Sequence, residues 1–236
     1  MTPYVVINGK SSKEIRGLLI QSLPPISKPK LRTTTEEIEG VDGDNVIELG
    51  YSAYDKSISI GLHGDYNVDD VITFFNTSGK ITFSNENDKY YKFKQLDTID
   101  FNKLVRFKTA TVNFHVQPFK YLEIEPPIRW EGTGTIAELS IRNLGNIYAK
   151  PKFKITSAGN TRIFYDGKQV LEMDLGAGKT IIVDSDTMNA TDEAGNFLNR
   201  IVTGDYNKLR VNSGRTGVRI TGQPTKVEVT NYNRWI

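Results

Sequence analysis

Apolar and polar residues alternate with period two along much of the chain. Ile58, Ile60 and Leu62 alternate with Ser59 and Gly61, and Ala110, Val112, Phe114 and Val116 with Thr111, Asn113 and His115. Phe153 and Ile155 alternate with Lys152, Lys154 and Thr156, and Val227 and Val229 with Lys226, Glu228 and Thr230. Successive strand side chains point to opposite faces, so each run predicts a strand that buries one face and wets the other. Turn dipeptides fall between the runs: Asn8-Gly9, Asp42-Gly43, Ser78-Gly79, Asp166-Gly167 and Ser213-Gly214. Asp166-Gly167 lies between Ile163-Phe164-Tyr165 and Val170-Leu171, which predicts a hairpin. Many short strands with frequent turns indicate an all-β sandwich or barrel.

One segment breaks the pattern. Val68, Val71, Ile72 and Phe75 are spaced i, i+3, i+4, i+7, the apolar stripe of a helix. Asn67 is a fitting N-cap, and Asp69 and Asp70 suit the positive end of the helix dipole. Gly79 is placed to end the helix in a left-handed conformation. A shorter helical turn is expected around Ser12 to Ile15. Pro126-Pro127, followed by Gly132 and Gly134, denies ladder hydrogen bonds and breaks regular structure. The predicted organisation is mainly β: an N-terminal β-sandwich with one α-helix over residues 1–124, a linker over 125–135, and a second β-sandwich over 136–236.

Composition narrows the function classes. The 236 residues carry 30 Lys+Arg against 28 Asp+Glu, a net charge of +2. A general nucleic-acid binder needs a clearer basic excess. At 38% hydrophobic and 10% aromatic residues the chain is no disordered tail. With no cysteine it has no disulfide, thiolate metal site or Cys nucleophile. Two histidines, His63 and His115, cannot build a three-His zinc site. Met1 to Lys10 is too short and too soon polar for a signal peptide, and no apolar run reaches the length of a membrane helix. A soluble protein, made and assembled in a cytoplasm, is expected.

The motifs that suggest chemistry mostly dissolve on inspection. Gly176-Ala177-Gly178-Lys179-Thr180 looks like the end of a phosphate-binding loop, but the first glycine is replaced by Met173 and a strand follows instead of a helix. A glycine-rich hairpin turn is the better reading. Asp184-Ser185-Asp186 starts like a calcium loop, but Met188 and Asn189 stand where the loop needs an oxygen ligand and a glycine. Adjacent carboxylates, Glu36-Glu37 and Asp69-Asp70, diverge on a strand or a helix and are not poised around one substrate atom. No G-x-S-x-G elbow is present. Trp130, Tyr165 and Tyr206 are candidate saccharide or partner contacts, against the commoner role of aromatics as core anchors.

Taken in order, several stretches resemble the distal tail protein (Dit) family of long, non-contractile-tailed bacteriophages. They are Val6-Ile7-Asn8-Gly9-Lys10-Ser11-Ser12, Gly40-Val41-Asp42-Gly43-Asp44, Gly79-Lys80-Ile81-Thr82-Phe83-Ser84 and Lys89-Tyr90-Tyr91. Thr111 to Phe119 closes the first part. Asn143-Leu144-Gly145-Asn146, Lys150-Pro151-Lys152-Phe153, Gly214 to Ile220 and Asn233-Arg234-Trp235 resemble the family's galectin-like second domain. Val41 stands where the family more usually has arginine, so no ion pair is carried over to that turn.

The resemblance implies a structural, non-enzymatic protein of the virion tail tip, without cofactor or metal, assembled in the cytoplasm of the bacterial host. It implies a homo-hexameric ring, single or in a back-to-back pair. The ring would join the major tail protein to a tail-associated lysin or tail-fibre hub, with receptor-binding proteins at the periphery in many phages. It implies no membrane and no stable nucleic-acid binding; the lumen is expected to be neutral or acidic. Thr33 to Tyr54 is a long polar stretch that cannot bury itself. In this family it is expected to form a hairpin arm reaching a neighbouring subunit, with Glu39, Val41, Asp44, Val46 and Tyr51 as contacts. The rival readings are a carbohydrate-binding module acting through the C-terminal domain and, well behind it, a wall hydrolase.

Overall fold

The computed structural model describes residues 2–40, 42–94, 101–176 and 178–236, and of residues 101–103 the backbone alone. The chain divides into two compact units, one ending at Glu123 and one spanning Ile124–Trp235. Both are mainly β, as the alternation predicts.

In the first unit the strands are β1 (Val5–Ile7), β2 (Lys10–Ser11), β3 (Leu18–Ser22), β4 (Leu31–Glu37), β5 (Asp44–Tyr51), β6 (Tyr54–Leu62), β7 (Gly79–Phe83), β8 (Lys89–Lys94) and β9 (Thr109–Leu122). The main sheet runs in the order β2-β1-β7-β8-β9-β6-β3, with antiparallel pairing, and curls into a half-barrel. Its concave face holds Ile58, Ile60, Val112, Phe114 and Val116, the residues that the alternation marked as inward. Phe114 gathers Phe75, Phe83 and Phe93 around it at ring separations of 5.4–6.3 Å. Each such side chain, fully buried, contributes about 1.5–3 kcal/mol.

Helix α1 (Val68–Phe75) covers this core. Asn67 caps it as expected, its side-chain oxygen accepting from the Asp69 amide at 2.9 Å. The buried face is centred on Val71, Phe74 and Phe75, so it is rotated slightly from the predicted stripe and takes in Phe74. Gly79 does not end the helix. Asn76 is the C-cap, and Gly79, at φ +140°, opens β7, where an added Cβ would lie 2.3 Å from Asn8 Oδ1. The turn at Ser12–Glu14 is a 3-10 turn closed by a reciprocal capping box between Ser11 and Glu14. A second helix, α2 (Phe101–Phe107), was not legible in the sequence. Of its described side chains only Leu104 is buried.

The second unit contains β10 (Ile128–Glu131), β11 (Ile136–Asn143), β12 (Lys152–Ser157), β13 (Asn160–Tyr165), β14 (Lys168–Asp174), β15 (Lys179–Asp184), β16 (Asn189–Thr191), β17 (Val202–Gly204), β18 (Gly214–Thr221) and β19 (Pro224–Thr230). They form two sheets, β10-β19-β12-β15-β16 and β11-β18-β13-β14-β17. Phe153, Ile155, Ile181, Val183, Val227 and Val229 from the first sheet share one core with Ile141, Ile163, Leu171, Met173, Val218 and Ile220 from the second. This is a sandwich built by alternation on both inner faces.

The predicted hairpin at Asp166-Gly167 is present. Both residues have positive φ, 45° and 82°, the signature of a tight primed turn joining β13 to β14. Two other readings are corrected. The glycine-rich segment at 176–178 is not a hairpin turn: it leads from β14 in one sheet to β15 in the other, and its Ala177 lies outside the described residues. Residues 128–131, inside the segment read as a linker, form β10. It pairs with β19 and packs Ile128 and Trp130 against the core.

Candidate functional site

Among the described residues, strands β4 and β5 pair only with each other, forming a two-stranded ribbon apart from the main sheet. Every described residue from Arg32 to Leu49 is exposed. The sequence explains the exposure: Thr33-Thr34-Thr35-Glu36-Glu37 favours extended backbone but has no apolar face to bury. At this strand length the ribbon extends about 25 Å. An isolated two-stranded hairpin is marginal in water, so one with no covering layer calls for a partner surface.

Four of the five expected contact residues fall on this ribbon. Glu39 is at its exposed tip, and Asp44 and Val46 are exposed on β5. Tyr51 sits at the base, half-buried, with its ring 5.6 Å from Phe119 in an edge-on contact. Val41 lies outside the described residues. Sequence reasoning missed three exposed apolar side chains here, Ile38, Ile47 and Leu49. The signal was available: they are aliphatic residues in a segment otherwise too polar to fold inward.

The base of the ribbon is fixed by a polar anchor that pattern alone does not reveal. The proline-rich approach, Leu23 to Lys30, offers carbonyls with few amide donors. Asn85 Nδ2 donates to the Pro24 carbonyl at 3.1 Å, Lys56 Nζ to Pro25 at 2.9 Å, and the Tyr54 hydroxyl to Ser27 at 3.3 Å. The Ser52 amide closes the base by donating to the Lys30 carbonyl at 2.8 Å. Lys56 is 3% exposed, and its ammonium lies 5.0 Å from the centre of the Tyr91 ring. Burial lowers its pKa; Glu86 opposes the shift and Lys120 adds to it. Glu86 accepts from Tyr91 at 2.7 Å and pairs with Lys120 at 2.8 Å, and burial raises the Tyr91 hydroxyl strongly.

In the second unit the three candidate aromatics are not presented alike. Tyr165 is buried, its hydroxyl donating to the Leu209 carbonyl at 3.2 Å, so its ring faces the core rather than a ligand. Trp130 on β10 and Tyr206 in a 3-10 turn are partly buried against that core. Asp184 Oδ1 accepts from the Asp186 and Thr187 amides, at 2.9 and 3.3 Å, which makes the Asp184-Ser185-Asp186 stretch a turn.

No protein-family model and no curated protein matches the chain. Solved structures do. The crystal structure of phage SPP1 Dit, described as a paradigm of the hub adsorption apparatus in phages infecting Gram-positive bacteria, superposes with a TM-score of 0.65 at 17% identity, covering 100% of both chains. Two structures of the phage P2 baseplate in its activated conformation, with Ca and with Sr, match at a TM-score of 0.50. Their identities are 9% and 10%, and they cover 99% and 98% of this chain and 98% and 97% of theirs. At such identities the fold is what is shared. It is a Dit-like fold along the whole chain.

Proposed function

We propose that the protein is a structural hub of a phage tail tip. In this reading six copies close into a ring, single or back to back with a second. The ring joins the major tail protein to a tail-fibre or tail-associated lysin hub and supports receptor-binding proteins at its rim. It needs no catalytic group and no cofactor, and its lumen is neutral or acidic so that DNA passes without being held. The observation that carries this reading is the end-to-end agreement with phage SPP1 Dit. The exposed ribbon supports it, because head-to-tail contacts between identical subunits close into rings when the rotation permits, and an uncovered ribbon offers a surface for such a contact. We read the ribbon as the arm that reaches the neighbouring subunit, with Glu39, Val41, Asp44, Val46 and Tyr51 among its contacts.

Negative-stain imaging of the purified full chain tests this directly. Six-fold rings, or stacked pairs of them, are expected. Particles of single-subunit size at every concentration, together with titratable saccharide binding lost in Trp130→Ala or Tyr206→Ala, would favour a carbohydrate-binding module instead.

A further inference from the structure

We propose that the arm of one chain docks through a carboxylate pair, Glu37 and Asp44, on an arginine pair, Arg142 and Arg215, of a second copy. The proposal rests on the ring reading above and names the surface that receives the arm.

The arm is acidic to an extent the whole chain is not. Between Thr33 and Leu49 stand Glu36, Glu37, Glu39, Asp42, Asp44 and Glu48, with no lysine or arginine, while the chain as a whole is +2. The register of β4 on β5 sets Glu37 directly opposite Asp44. Directly opposed residues share a face of the ribbon, and like charges in that position destabilise it. The next pair on the same face is Thr35 with Val46, so no cation beside the two carboxylates compensates.

The second unit carries the complementary arrangement. On the outer face of the β11–β18 pair, Arg142 is directly opposite Arg215, and both are exposed. Neither has an ion pair among the described residues. Elsewhere on that face Glu138 is registered opposite Arg219, and Glu172 binds Arg162 at 2.9 Å. Two guanidinium groups side by side repel as the two carboxylates do. Both pairs have the spacing of cross-strand neighbours, so bringing them together matches fork to carboxylate twice and relieves both repulsions. Each pair also borders an exposed apolar side chain, Ile38 beside Glu37 and Leu144 two residues beyond Arg142. We place the arginines on a second copy because a closed ring is built from contacts between identical subunits.

Reciprocal charge reversal tests this, with assembly read by light scattering at low salt. Glu37→Lys with Asp44→Lys is expected to weaken assembly at least tenfold, and Arg142→Glu with Arg215→Glu to do the same. Combining all four restores it. All four positions are exposed, and circular dichroism checks that each variant folds. Arginine reversals that assemble like the parent overturn the proposal, as does a folded fourfold variant that stays dissociated. If the arginine reversals have no effect while deletion of residues 39–52 dissociates the ring, the arm reading stands and this docking surface falls. If the parent is monomeric at every concentration, both fall. Loss of duplex-DNA retention in the arginine variant with unchanged mass would make the pair a nucleic-acid contact and also overturn it.

Discussion

Lys56 shows how much one side chain holds at the arm base. Its buried ammonium satisfies the Pro25 carbonyl in a segment short of donors. Lys56→Met keeps the volume and removes the buried charge, so global stability is expected to change by less than about 2 kcal/mol. The arm base loosens instead: exchange of the Ser52 amide is expected to quicken about tenfold, the cost of one lost charge-assisted hydrogen bond. Unchanged Ser52 exchange would contradict the anchor. The depressed pKa has its own consequence. The folded chain binds fewer protons at Lys56 than the unfolded chain in the window below 10.5, so this contribution to stability grows as pH rises through that window. Glu125 has the opposite sign. Burial raises it above its ordinary 4.5, while the Asn233 amide donates to it at 2.9 Å and opposes the shift. Its contribution is fully present below pH 4.5 and is lost as pH rises through the raised value. Urea titrations over pH 4.5–7 should therefore show a shallower pH slope for Glu125→Gln than for the parent; identical slopes would count against the burial argument.

At the scale of elements, legibility followed burial. Strands β6, β9, β12 and β19 were readable because each sets one face on a core and the other in water, and α1 because its stripe has helical spacing. Helix α2 was not, because only Leu104 among its described side chains is buried, leaving no stripe to find. Strand β10 was hidden by its brevity and by the prolines before it; only its partner β19 makes it a strand. The arm was legible as a polar stretch, and its hairpin form follows from alternation too weak to bury either face. Its anchor was not, since carbonyl acceptors on Pro24 and Pro25 leave no trace in a hydrophobic pattern. The exposed Val46 and Leu49 lead to a prediction at this scale. Val46→Ser with Leu49→Ser removes no buried contact, so the subunit's unfolding free energy should stay within about 0.5 kcal/mol per site. Assembly should nonetheless weaken, as measured by sedimentation velocity. Assembly equal to the parent's would place the subunit interface elsewhere.

For the whole molecule, two mainly-β units and a projecting acidic ribbon suit a part that works by contact. The near-neutral total of +2 conceals a segregation: the arm is strongly acidic, so the rest of the chain carries the positive excess. Association built on such segregation is screened by salt, and the proposed ring is expected to loosen as ionic strength rises. The most direct test of the hub reading is the mass of the full chain in solution, by size-exclusion chromatography with light scattering at low salt. A six-fold ring requires about six times the 26.6 kDa chain mass, or twice that for paired rings. A single-chain mass that persists as concentration is raised would contradict it.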